Sequence, residues 1–187
     1  RGLHDACQRA HQELGISAPL GDAFEMVELD PAFYAGVLGQ PAWLKSTPRP
    51  TLRGVRILSQ LLCTEVPSPP ANEPPLGPGN TPRERITSSV ASRGAPCQVC
   101  HSLFDPTGFA LEAFDEQAHL TGFDTSGSLK LQSSGETRPL AGPHDLGQAL
   151  ATSDDARSCA VARAIEYLLQ SPLRDDPSGL IDCIANC

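Results

Sequence analysis

Lysine is nearly absent. Of 187 residues only Lys45 and Lys130 are lysines, and 14 Lys+Arg stand against 22 Asp+Glu, a formal charge of −8. A chain this acidic has no electrostatic footprint for nucleic acid or for an anionic lipid surface. Long apolar runs are missing too. Hydrophobic residues make up 40% of the chain, enough for a core, yet no run approaches the ~20 apolar residues that span a bilayer. Aromatics are scarce, with one Trp and two Tyr. No Ser-His-Asp set, Gly-rich phosphate loop or close carboxylate pair stands out, so hydrolase and kinase chemistry lack support. Arg1 is not an initiator, and neither a basic nor an apolar leader region follows it. The chain is expected to be a mature or partial piece, with an export signal or an upstream region before Arg1.

What is plentiful is cysteine, with seven, and proline, with 18. Many cysteines beside few lysines point outside the cytosol, to the periplasm, the cell surface or the extracellular space.

Apolar periodicity predicts a helix over residues 1–14 (Leu3, Ala6, Ala10, Leu14), stopped at Gly15, and a short strand over 24–29. Residues 31–50, with four prolines and Trp43, read as irregular, and 51–62 as a buried helix. Seven prolines in 66–82 predict an extended, polyproline-like connector. Thr81-Pro82-Arg83-Glu84 carries the signals of a capped helix start, running to about Ala91. Short helices are expected over 97–102, 108–116 and 145–150, and a β-hairpin over 128–132 and 137–140. Ser153 is expected to cap a longer helix with Val161, Ile165, Leu168 and Leu169 on its apolar face, ended by Pro172 and Pro177, with last turns over 180–187. The expected organisation is the end of an upstream domain (1–30), an irregular and helical segment with the proline-rich connector (31–80), and a helical domain (81–187).

Cys97-Gln98-Val99-Cys100-His101 is the pattern of covalent c-type haem attachment. Two thiols three residues apart on one helical turn reach the two vinyl groups of a haem, and the next histidine projects to the iron. The competing readings of a bare Cys-x-x-Cys are half of a zinc site, a redox dithiol and a structural disulfide. Cys159, Cys183 and Cys187 form no second Cys-x-x-Cys, and the βαβ context of a redox dithiol is missing.

The stretch from Asp105-Pro106-Thr107-Gly108-Phe109 through Glu112 to Asp115 resembles the C-terminal region of large secreted proteins of planctomycetes and myxobacteria, cytochrome-like and of unknown function. Arg53-Gly54 through Leu61-Leu62-Cys63 with the proline tract, Phe123 to Gly127, and Asp155 to Leu169 are similar to further parts of that family, as is 14–29 to the end of the preceding domain. The resemblance covers nearly the whole chain. It implies a mainly α, c-type cytochrome-like helical domain with a small β-hairpin, a haem c cofactor, and attachment to an upstream region of the same protein. The chain departs from the family at 88–91, Ser-Ser-Val-Ala, where a histidine often precedes the Cys-x-x-Cys.

The candidate second axial ligands are Met26, the lone methionine, His119 and His144, with an open five-coordinate iron as the alternative. Arg53 and Arg56 are candidates for neutralising haem propionates. His4, Cys7 and His11 share one face of the first helix, as a zinc site would need; the plain reading is a disulfide at Cys7 and two solvated histidines. Outside the motif, five cysteines remain. Cys159–Cys183 is the favoured disulfide, stapling a helical hairpin around Pro172–Pro177, with Cys7, Cys63 and Cys187 left over.

The expected function is single-electron transfer by an exported haem protein, with a partner bearing a basic docking patch. The alternatives are a haem enzyme acting on peroxide or dioxygen, and a structural module in which haem and disulfides act as staples.

Overall fold

A computed structural model describes residues 35–68 and 75–170. The elements expected over 1–14, 24–29 and 180–187 lie outside these residues, as do His4, Cys7, His11, Met26, Cys183 and Cys187. The described residues are mainly helical, with one small antiparallel hairpin. No helix among them is long and apolar enough to cross a membrane.

Where the sequence expected irregular chain, a 3-10 turn over Gly36–Gly39 leads into α1 (Pro41–Ser46). Helix α2 (Pro50–Arg56) continues into a π turn over Ile57–Leu61. Prolines open α1 and α2 rather than breaking them, because the first helical N–H has no partner to lose. The end of the proline-rich connector lies along α3 (Pro82–Ser92): Gly77 N donates to the Arg85 carbonyl at 3.1 Å, and Ser88 Oγ to that of Pro78 at 2.7 Å. The start of α3 is the expected capping box. Glu84 N donates to Thr81 Oγ1 at 3.1 Å, and the Glu84 carboxylate accepts from the Thr81 and Asn80 amides.

Gly94, with φ +81°, turns the chain directly into α4 (Ala95–Phe109). Here the structure corrects the sequence reading: the separate helices expected over 97–102 and 108–116 are one, and residues after 109 form turns. Pro106 sits inside α4, where a proline ordinarily costs about 3 kcal/mol. What offsets it is the contact with α2. A Cβ on Gly54 would strike the Phe104 carbonyl, and a Cβ on Gly108 would strike that of Pro50. The two backbones touch, and only glycine permits it at these positions.

The hairpin pairs β1 (Gly127–Lys130) with β2 (Thr137–Leu140), in register from Gly127↔Leu140 to Lys130↔Thr137. Helices α5 (Pro143–Ala151) and α6 (Asp154–Leu169) follow. Ser153 caps α6, as expected, by accepting from Ala156 N, and the Asp155 carboxylate accepts from Gln132 N and Ser133 N of the hairpin loop. The apolar face expected on α6 is covered unevenly: Val161 and Ile165 are half-buried, whereas Leu168 and Leu169 are exposed.

One core joins Leu38, Leu44, Ile57 and Leu62 to Leu111, Phe114, Leu129, Leu140 and Leu146. Arg53 is buried within it. Its Nε donates to the Thr47 carbonyl, and its Nη atoms to those of Leu111, Phe114 and Asp115, at 2.7–2.9 Å. Burial pushes its pKa down to about 10, against the opposing charges of Asp115, Glu112 and Glu116. Arg53 is thus a structural staple whose donors go to carbonyls, not a propionate partner. Arg56 donates to Ser46 Oγ at 3.1 Å.

Cys159 is disulfide-bonded, but to Cys63 rather than to the favoured Cys183. Cys183 is the near partner in sequence, across the turn expected after α6, but Cys63 is the near one in space. In the structure the first half of α6 packs on the segment after α2, where Arg163 also donates to the Ser59 carbonyl, and this brings two cysteines 96 residues apart to a Cα–Cα distance of 5.3 Å.

Candidate functional site

The N-terminal half of α4 carries the motif. Cys97 and Cys100 lie on successive turns of one face, both half-buried and neither in a disulfide. Val99 (63% exposed) and Leu103 (38% exposed) present apolar surface on the same stretch of helix. Leu103, one turn on from Cys100, adds exposed apolar surface next to the two free thiols, which an apolar planar group would cover.

His101 is half-buried, its ring 5.1 Å from that of Phe104. Its Nδ1 lies 2.8 Å from Asp105 Oδ2, one helical turn on. Thr51 Oγ1, from α2, donates to Asp105 Oδ1 at 2.7 Å. Asp105 is 6% exposed, and burial pushes its carboxyl above the ordinary range against the hydrogen bonds of Thr51 and His101. Both oxygens are therefore engaged, one on each helix. With Nδ1 facing a carboxylate, Nε2 is the nitrogen left for a metal, and a carboxylate–imidazole pair is the usual outer arrangement of a ligating histidine.

Cys97, Cys100 and His101 fit a covalently attached haem by three observations: the shared helix face, the unpaired thiols and the oriented imidazole. Among the described residues no three of His, Cys, Asp and Glu converge as a metal-binding cluster, so the zinc reading gains no second ligand pair. Clefts of about 140 and 300 Å³ are lined by neither the two cysteines nor His101, and the motif occupies an open helix face.

Of the candidate second ligands, Met26 lies outside the described residues. His119 is 77% exposed and sits 3.4 Å from the Asp115 carboxylate. His144 is exposed at the start of α5. Among the described residues, no hydrogen bond or ring contact joins His119 or His144 to His101.

Arg83 and Glu112 form a separate contact. Arg83 donates from its backbone N and Nε to Glu112, from Nη2 to the carbonyls of Asp124 and Ser126, and stacks over Phe109 at 4.5 Å. The clamp ties Glu112 to the turn at Asp124 and Ser126.

The sequence reading missed Asp105 and Thr51. Splitting α4 at Pro106 hid the four-residue spacing from His101 to Asp105, which was the available signal. Thr51 had none, being 54 residues from its partner.

Residues 34–124 match the model of a family described as "PSCyt3: Protein of unknown function (DUF1588)", a planctomycete cytochrome-like domain family. The matched stretch holds α2, residues 97–101, and Arg83 with Glu112 and Asp124. No curated protein and no solved structure matches the chain.

Proposed function

We propose that this chain is an exported c-type haem protein that passes single electrons as the C-terminal module of a larger protein. The observation that carries the reading is the placement of Cys97, Cys100 and His101 on one face of α4, with the imidazole held at Nδ1 by Asp105. Cys97 and Cys100 would hold the haem as thioethers, and His101 Nε2 would ligate its iron. The bound haem supplies a one-electron couple. The chain supplies covalent attachment, a fixed imidazole, and the apolar surface of Leu103.

Relay needs only an exposed haem edge and a partner that docks. The acidic balance of the chain, −8, suits a redox partner with a basic patch, and that docking weakens as salt screens it. Export to the periplasm or beyond accords with the Cys63–Cys159 disulfide.

One observation is compatible with a second reading. A carboxylate on the proximal imidazole strengthens it as a donor, which suits iron that activates peroxide or dioxygen as well as iron that relays electrons. Ligand addition to the ferrous and ferric holoprotein separates the two. A spectrum indifferent to carbon monoxide and cyanide supports relay; rapid uptake of both with peroxide turnover supports the enzyme.

A further inference from the structure

We infer that Asp105, fixed by Thr51 across the α2–α4 crossing, is a positioning residue for His101 that keeps Nε2 as the metal-binding nitrogen and lowers the reduction potential of iron bound there. This rests on the haem reading above. The carboxylate is gripped at both oxygens: Thr51 Oγ1 donates to Oδ1 at 2.7 Å, and His101 Nδ1 meets Oδ2 at 2.8 Å. It cannot rotate without losing one bond or the other. Thr51 is set against α4 by the close Gly54–Phe104 and Gly108–Pro50 backbone contacts on either side of it.

The electrostatics follow from the burial. Asp105 is 6% exposed, so little water screens its charge from the imidazole. A carboxylate accepting from Nδ1–H pushes electron density toward Nε2. A more electron-rich ligand with a negative charge behind it favours the more positive oxidation state of the metal, ferric over ferrous. A residue that merely joined two helices would do none of this.

The test is Asp105→Asn in the haem-loaded chain. An asparagine carbonyl still accepts from Nδ1–H, and its amide still meets Thr51, whose hydroxyl turns to accept. The shape is kept and the charge is lost. The expected result is a ferric/ferrous ratio lower by about tenfold at fixed applied potential, the scale on which losing an outer partner of a ligating histidine changes metal affinity or activity. For one electron that is about 59 mV. Unchanged potential in a folded variant would overturn the inference.

A measurement on the unmutated holoprotein covers the case in which the variant fails to fold. In the ferrous state, nitrogen-15 spectra should show the His101 Nδ1 proton protected from exchange. A freely exchanging proton there would contradict the bond. If no haem is attached at all, the haem reading fails first, and the same spectra on the unloaded chain still report the His101–Asp105 bond separately.

Discussion

Gly54 and Gly108 face each other's helices across the α2–α4 crossing, each pressed against a carbonyl of the opposite backbone. Gly54 follows the buried Arg53, and Gly108 closes the Asp105-Pro106-Thr107-Gly108-Phe109 pattern. Two family-like segments far apart in sequence are thus two halves of one contact. The same contact sets Thr51 against Asp105, so fold and candidate site share one device.

Gly54→Ala and Gly108→Ala should each destabilise the chain by about 1–3 kcal/mol or more, the cost of overpacking a site where backbone must move. Chemical denaturation reads this directly. An alanine tolerated without loss at both positions would show that the helices are not in backbone contact.

The Cys63–Cys159 bond closes a span of 96 residues. In the chain-entropy picture a loop of that size stabilises by about 4–5 kcal/mol. Paired substitution of Cys63 and Cys159 by alanine should lower the denaturation midpoint accordingly. Peptide mapping without reductant should recover the two cysteines in one linked pair; recovery of Cys159 linked to Cys183 would contradict the structure.

Burial pushes the Glu112 carboxyl above its ordinary range, against the hydrogen bonds and charge of Arg83. A folded-state pKa above the unfolded one means that the folded chain binds this proton more tightly. The associated stability is fully present below about pH 4.3, the ordinary glutamate value, and is lost as pH rises through the raised folded value. Relative to Glu112→Gln, the native chain should therefore be more stable in acid than at neutral pH. Denaturation midpoints of both proteins at about pH 4 and pH 7 check this, and the reverse slope would show that the Arg83 ion pair outweighs burial.

The parts of the fold legible in the sequence are the local ones. The Thr81–Glu84 capping box, the hairpin and the Ser153 cap each depend on residues within a few positions of one another. Helix α4 was misread because Pro106 is a breaker by local rule, and the compensating contact at Pro50 is 58 residues away from Gly108. Arg53 was read as a propionate partner for the same reason: its acceptors are distant carbonyls at 47, 111, 114 and 115. The candidate site divides likewise. The attachment pattern is five consecutive residues, whereas the Thr51–Asp105 support exists only once α2 and α4 have docked.

The central claim is covalent haem at Cys97 and Cys100, and the most direct measurement is the alkaline pyridine spectrum of chain matured in a periplasm equipped for c-type attachment. The account predicts one haem per chain, surviving acid–organic extraction, with the band position of a haem whose vinyl groups are both saturated, and loss of that attachment in Cys97→Ser/Cys100→Ser. A chain that emerges colourless, with both Cys97 and Cys100 open to alkylation, would contradict it.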